Sequence, residues 1–289
     1  MASVAVCLAL ALLLLASFLG ALHPLGDSLA VFRLPLGLGL LIMSFGLPGP
    51  LKPVALAVAL ASQLPMLAIR VAPQPSAGDY SHYQKNLWVD LRKSDGILTD
   101  IAAMAPDTIS FQEVGDWNKD NILQPLAAQY RAHAFCGFGW VGGIAVLSRW
   151  PALEPPNCEE GRKYGMVALK VDHPDGPLWL VSIHLHWPYP DRQPEQLDRL
   201  LPRLSALDAP VLVGGDFNMV RWSHAVADIA RATGTRAQGR APITLHVPPE
   251  GVSAALAIDH VLVPSGRAGR LERRPRHGSD HYGLFLRWN

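Results

Sequence analysis

Charge is scarce in this sequence. Asp, Glu, Lys and Arg make up only 17% of its 289 residues, against 49% hydrophobic, a more apolar balance than that of an average soluble chain. The deficit is concentrated at one end: residues 1–72 hold three basic residues, Arg33, Lys52 and Arg70, and one acidic residue, Asp27, amid long Leu/Ala/Val runs. That composition suits lipid. Lys and Arg are missing from the first residues and there is no clear small-x-small cleavage site, which argues against a cleaved signal peptide. Cysteine is nearly absent too. Of the three, Cys7 lies in the first apolar run, leaving Cys136 and Cys158 as an even pair that permits a disulfide as readily as two free thiols. No cysteine-rich cluster offers a soft metal site, no Gly-x-Ser-x-Gly elbow supports a serine nucleophile, and no internal repeat or low-complexity tract is present.

Ala2 to Leu22 is uncharged and long enough to cross a hydrocarbon core of about 30 Å. Leu29 to Leu47 is interrupted near its start by Arg33 and Pro35, and Val54 to Ile69 is shorter, with Gln63 and Pro65 inside it. About three transmembrane helices are expected in residues 1–72, with two as the next choice. The few basic residues are spread almost evenly over the connecting loops, so the positive-inside rule gives no orientation. Residues 73–80 have the Pro/Ser/Gly chemistry of a linker, and 81–289 are long enough for one domain with a large core. Beyond residue 72 there remain 22 basic and 23 acidic residues of the totals of 25 and 24, so bulk charge does not mark a nucleic-acid binder. Only Arg267, Arg270, Arg273, Arg274 and Arg276 crowd together; they read as a solvated basic loop or a guide for an anionic substrate.

Short β-type runs recur at Tyr83–Val89, Asp107–Val114, Gly143–Ser148, Gly165–Val171, Leu178–His184, Val211–Gly215, Ile258–Val263 and Tyr282–Trp288. Helical spacing of apolar residues marks Gly96–Met104, Pro194–Leu207 and Ser223–Ala232, the last ended by Gly234 at a favoured C-cap position. Many short strands with a few helices imply two packed sheets flanked by helices. Gly137-Phe-Gly-Trp-Val-Gly-Gly143 matches G-x-G-x-x-G, but Gly143–Ser148 reads as another strand and not a helix, so the glycines form a loop and not a dinucleotide site.

Several of these runs end in polar groups. Val211-Leu-Val-Gly-Gly-Asp-Phe-Asn218 delivers Asp216 and Asn218 just past two glycines, a pair that also suits simple capping. Glu113 ends one strand and Asn86 lies within another; His184 and His186 end a third, Asp259 heads a fourth, and Asp280-His281 introduces the last. Glu113, Asp280 and the Asn86 carbonyl oxygen are hard ligands of the kind that hold Mg²⁺ or Mn²⁺. His184-x-His186, with Asp216, Asp280 and His281, leaves a dinuclear zinc or manganese hydrolase open. A hard divalent ion with a His and an Asp suits attack of water on a phosphate ester.

The order Asn86-Leu-Trp88, Gln112-Glu113, Gly143 to Ser148-Arg149-Trp-Pro151, Ser182-Ile-His-Leu185, Gly215-Asp-Phe-Asn218, Ile258-Asp259 and Ser279-Asp-His281 resembles the endonuclease/exonuclease/phosphatase superfamily, shared by DNase I-like nucleases, inositol polyphosphate 5-phosphatases and bacterial sphingomyelinases. The resemblance covers nearly all of residues 79–289. It implies a four-layer α/β sandwich, two mixed sheets packed face to face and flanked by helices, with the site at one sheet edge. It further implies a metal-dependent phosphoester hydrolase in which Glu113 is the principal Mg²⁺ (or Mn²⁺) ligand, helped by Asn86 and Asp280. His281, oriented by Asp259, would act on the phosphate; Asp216 would activate or align water, Asn218 would hold water or a phosphate oxygen, and His184 would touch the scissile phosphate. His260, where an aromatic is common, and Gly283-Leu284, in place of a proline, depart from the pattern without removing a catalytic group. Membrane-anchored bacterial members are similar to this chain, which implies a plasma-membrane protein with its catalytic domain on the outer face. The expected substrate is a phosphoester in nucleic acid or in a phospholipid head group, and nothing points to an obligate protein partner. A membrane-tethered module that binds such phosphates without turnover is the alternative.

Overall fold

The computed structural model describes residues 2–247 and 254–289. Its first sheet contains β1 (Tyr80–Asn86), β2 (Thr108–Val114), β3 (Ala132–Gly137), β4 (Gly143–Ser148), β13 (Gly269–Arg274) and β14 (Gly283–Trp288), in the order β13-β14-β1-β2-β4-β3. The second contains β5 (Asn157–Cys158), β6 (Met166–His173), β7 (Gly176–His184), β8 (Val211–Asp216), β9 (Thr235–Ala237) and β12 (Asp259–Pro264), in the order β5-β6-β7-β8-β12-β9. A separate antiparallel pair, β10 (Leu245–Val247) with β11 (Ala254–Leu256), is bridged to His281 at Leu245.

Each sheet has one parallel pair, β1/β2 and β7/β8. A parallel pair needs a crossover, and here helix α5 (Asp95–Met104) and helix α8 (Gln193–Ser205) supply it. Parallel neighbours end on the same edge, so Asn86 and Glu113 leave one sheet where His184 and Asp216 leave the other. Shorter helical pieces α6 (Asp116–Asn118) and α7 (Gln124–Ala127) lie outside the first sheet, and α9 (His224–Ala232) lies outside the second.

Alternation sorts the side chains into layers. On β7, Leu178 and Leu180 join Val146, Leu212, Val261 and Leu286 between the sheets, while Trp179, Val181 and Ile183 face Leu200 and Leu204 of α8 and Ile229 of α9. On the far side Tyr83, Ile109 and Phe111 pack on Ile97 and Ile101 of α5. Helix, sheet, sheet and helix make the expected four-layer α/β sandwich, with each buried Leu or Ile contributing about 1.5–3 kcal/mol.

The interlayer space is not wholly apolar. His82 hydrogen-bonds Thr108 Oγ1 and Ser110 Oγ, both at 2.9 Å. A Cβ on Gly214 would collide with the Ser110 hydroxyl and the His82 ring, so this glycine sets how closely the sheets approach, while β8 continues through Gly215 to Asp216 without turning. Beside it, Gln112 Nε2 donates to Ser182 Oγ (2.9 Å), and Gln84 Nε2 donates to Gln112 Oε1 (2.8 Å) and to Asp259 Oδ1 (2.9 Å). A polar chain thus crosses the sandwich and ends at the site.

One expectation changes, and one open alternative closes. The arginine-rich stretch is not a solvated loop: it forms β13 at the sheet edge, with Arg267, Arg270 and Arg274 paired to Asp175, Glu272 and Asp100 and Arg273 over the Tyr282 ring. Cys136 and Cys158 form a disulfide linking β3 to β5.

The N-terminal segment folds as α1 (Ala2–Ala16), α2 (Pro24–Ala30), α3 (Arg33–Ser44) and α4 (Leu51–Val71). Among the described residues only α4 is long and apolar enough by itself to cross a membrane; α2 and α3 pass together as a pair bent by 70°. Helix α1, at 15 residues, rises about 22 Å and falls short of the expected Ala2–Leu22 span. The reason lies in the two charges of this region. Asp27 accepts from the backbone N–H of His224 and of Ala225, both at 2.8 Å, and caps α9 from outside it. Buried Arg33 reaches Ser17 and the Trp222 carbonyl, and Trp222 Nε1 donates to Ala30 O (2.8 Å). Residues 24–33 therefore dock on the globular domain. Residues 73–79 carry no helix or strand.

Candidate active site

At the shared edge a cavity of about 460 Å³ is lined by Glu113, His184, Asp216, Asn218, Asp280 and His281, with Trp88, Trp140 and Trp187 at its rim. Glu113 sits at a register shift between β2 and β4 and has φ 54°; Asn218, just past β8, has φ 48°. Non-glycine residues rarely adopt this left-handed region, and such strain concentrates where a side chain must be aimed.

Asp216 is fully buried. Its Oδ1 accepts from Asn218 N (2.9 Å) and its Oδ2 from Asn86 Nδ2 (3.0 Å), with His184 Nε2 and His281 Nε2 each 3.7 Å from Oδ2. Asn218 is fixed by Nδ2 donating to Leu185 O (2.8 Å). The Asp216–Asn218 pair closes a local turn and caps no helix, since α9 is capped by Ser223 and Asp27, and both residues line the cavity. Burial, and then the Asp259 charge opposite it in the β8/β12 register, raise the Asp216 carboxyl above the ordinary carboxylate range.

His281 Nδ1 is 2.7 Å from Asp259 Oδ2. Burial opposes a charge on this ring, but the Asp259 and Asp216 carboxylates push it up to about 10, so it is an imidazolium near neutrality. Asp259 itself is held low: burial raises it, and His281 with hydrogen bonds from His281, Thr244 and Gln84 outweighs that. His184 is the opposite case, pushed down to about 3 by burial and by the His281 charge, hence neutral. Its Nε2 lies 3.8 Å from Glu113 Oε1, and its buried Nδ1 has no partner.

The ligand atoms of Glu113, His184 and Asp216 fall within 4.8 Å of one another, as do those of Asp216, Asp259 and His281. Among the described residues these are the groupings able to hold an ion, and both share Asp216. Asp280 lines the cavity, its carboxyl raised by burial, but belongs to neither grouping. Asn86 presents nitrogen where oxygen was expected: Oδ1 accepts from Trp88 N (2.8 Å), while Nδ2 donates to Glu113 Oε1 and Asp216 Oδ2, both at 3.0 Å. His186 joins no metal grouping; its ring binds Arg162, with Nδ1 2.8 Å from Nη2. The two histidines share a strand end but not a ligand set.

Lys85 and Gln84 escaped the sequence reading. Lys85 is fully buried, and its Nζ donates to His281 O (2.9 Å) and Pro275 O (3.4 Å), tying the His281 loop to β1; burial pushes it down to about 7. Gln84 supports Asp259. Their sequence signal was polar residues inside a buried strand, at 84 and 86 on one face and 85 on the other.

Among solved structures the fold is similar to a humanized TDP2 of D. rerio (18% identity, TM-score 0.57, covering 73% of this chain and 98% of that one). It is also similar to a truncated Caenorhabditis elegans TDP2 (16%, 0.57, 72% and 96%) and to a Staphylococcus aureus beta toxin variant with bound magnesium ions (14%, 0.53, 72% and 99%). No curated protein matches the sequence. The model of the Endonuclease/Exonuclease/phosphatase family matches residues 83–281, the span that runs from β1 through every strand end of the cavity to His281, and the chain belongs to that family.

Proposed function

We propose that this chain is a membrane-anchored, divalent-metal-dependent phosphoester hydrolase. The observation that carries the reading is the convergence of Glu113, His184, Asp216 and His281 in one cavity, with Asp259 behind His281. The donor set fits a hard cation. Glu113, Asp216, Asp259 and Asp280 bring four carboxyl groups to a site whose nearby cations are the His281 imidazolium and, at one side, Arg162, with Lys85 bound to backbone carbonyls, and such an excess of carboxyl groups favours a counter-cation. Glu113 would hold it, and Asp280 would complete the site from the cavity wall, leaving Asp216 free for the water. Oxygen donors suit Mg²⁺ or Mn²⁺, in keeping with the magnesium ions of the beta toxin variant. When bound, the ion supplies charge against the negative charge that develops on the phosphoryl oxygens.

The residues divide the remaining work. Asp216, with its raised proton affinity, aligns water and accepts its proton, a role best filled by a group titrating near the working pH. Asn218 orients that water or a phosphate oxygen. His281, charged and fixed by Asp259, faces the phosphate and stabilises its developing charge. Neutral His184 contacts the scissile phosphate through Nε2.

Anchoring rests on α4 and on the docked α2–α3 segment, with residues 1–72 as the membrane part, 73–80 as linker and 81–289 as the catalytic domain. The Cys136–Cys158 bridge supports the outer face of a bacterial plasma membrane as the location, since such bonds persist in oxidising compartments.

The full chain in uncharged detergent micelles should hydrolyse bis(p-nitrophenyl) phosphate with Mg²⁺ or Mn²⁺ and stop in EDTA. Activity that survives both EDTA and Asp216→Ala rules the reading out. Metal-independent phosphate binding with no hydrolysis across diesters and monoesters points instead to a binding module.

A further inference from the structure

Two cavities meet at Arg162. One is the catalytic pocket; the other, of about 380 Å³, is lined by Arg162, Lys163, His186, Arg192, Gln196 and Arg199, with Glu195 its one carboxylate. Helix α8 forms one wall, because Arg192, Gln196 and Arg199 recur at i, i+4 and i+7 on one face. The opposite wall, residues 159–165, is fastened by the Cys136–Cys158 bridge, by Gly161 N donating to Gly137 O (2.9 Å) and by the Glu159–Arg203 pair. It is built to hold its shape.

Its charge is unanswered. Among the described residues none of Arg162, Lys163, Arg192 and Arg199 joins an ion pair, whereas Arg267, just before β13, and Arg270 and Arg274 on it are all paired. Arg162 Nη1 is shut off from solvent without an acceptor, while Nη2 holds His186 and the guanidinium lies 4.9 Å from the Trp140 ring centre. Four cations around a concavity whose lining includes a single carboxylate give it a positive potential that favours an anion.

We propose that this cavity binds a second phosphate of the substrate, so that the substrate class is a head group bearing two phosphates, one at the catalytic cavity and one between Arg162, Arg192 and Arg199. The inference rests on the hydrolase reading of the catalytic cavity. A compact head group fits better than a polymer, because these four cations gather around one concavity while the chain beyond residue 72, with 22 basic and 23 acidic residues, is nearly neutral. A lipid source fits the position of α8: the loop before it meets α2 through Ser28 Oγ donating to Tyr189 O (2.6 Å), and Leu197 and Leu201 line a crevice with Leu22 and Pro24.

The test uses the full chain in uncharged micelles. Inorganic phosphate is titrated calorimetrically into metal-free protein, in which the carboxylate-rich catalytic cavity repels anions. Binding weakened at least about tenfold by Arg192→Gln with Arg199→Gln supports the site, and equal binding by both proteins overturns it. No turnover is involved, so this result stands apart from whether the chain hydrolyses phosphoesters. With metal present, kcat/KM for phosphatidylglycerol phosphate should exceed that for phosphatidylglycerol at least about tenfold, the preference vanishing in the double variant. A wild-type ratio near unity, or a preference that grows instead with oligonucleotide length, overturns the head-group assignment.

Discussion

His281 Nδ1 lies 2.7 Å from Asp259 Oδ2, and the Asp259 carboxylate is held on its other oxygen by Gln84 Nε2 at 2.9 Å. The imidazole is thus oriented by a carboxylate that is itself anchored to the opposite sheet. Asp259→Asn keeps the shape of this contact and removes its charge. The expected loss in kcat is about 1,000-fold or more, the scale seen when a carboxylate orienting a catalytic imidazole is neutralised. Steady-state hydrolysis of a phosphodiester checks it, and a loss smaller than about tenfold would leave Asp259 a structural residue.

Glu113→Gln removes one of the charges assigned to the cation. The metal concentration for half-maximal activity should rise at least about tenfold, with calorimetric Mn²⁺ binding weakened in parallel. An unchanged metal titration with reduced kcat would move Glu113 from the metal to the substrate.

Asp27→Ala deletes the outside cap of α9. Its two hydrogen bonds satisfy N–H groups that the first turn of a helix leaves free, so the expected cost is about 1–2 kcal/mol. In the full chain this lowers the thermal midpoint by several degrees, roughly 2–8 °C, with Asp27→Asn intermediate. Near-UV circular dichroism in micelles reads the shift. An unmoved midpoint would mean that α2 does not stay docked.

His82 makes stability fall with acid. Its ring is buried between the sheets and pushed down to about 3 by that burial, against about 6.5 when the chain is unfolded. Above pH 6.5 neither state takes the proton and the group has no effect. As pH falls from 6.5 toward 3 the unfolded chain binds a proton that the folded one refuses, and stability drops by about 1.4 kcal/mol per unit. His260, pushed down to about 4, acts in the same direction. Urea unfolding between pH 4 and 7 should show a shallower pH slope for His82→Gln than for wild type. Equal slopes would show that His82 is not the group responsible.

Strand ends were the legible part of this molecule. Glu113, His184 and Asp216 stand out because each closes an apolar run, and a parallel pair in each sheet necessarily brings such ends together. The partner of a given oxygen was not legible. Asn86 has an oxygen and a nitrogen on one carbon, and only the position of the Trp88 backbone N–H decides which faces the carboxylates. Lys85 and Gln84 were hidden for a related reason: their partners, the His281 carbonyl and Asp259, lie almost two hundred residues away. The arginine-rich stretch misled because composition counts charges without their counter-ions, and Asp100, Asp175 and Glu272 are supplied by the fold. Arg162, Arg192 and Arg199 are thinly spread along the chain and gather only when α8 crosses between β7 and β8.

Strand β14 lies inside its sheet, between β13 and β1, and pairs with Tyr80–Gln84 on one side and Gly269–Arg274 on the other. During synthesis β1 must wait roughly two hundred residues for this neighbour, a long-range closure of the kind that folds slowly. The Asp280-His281 pair immediately precedes the strand that performs the closure. A ribosome paused before residue 283 therefore carries a chain with neither a completed sheet nor a positioned imidazole, and the step that closes the sheet is also the step that places His281.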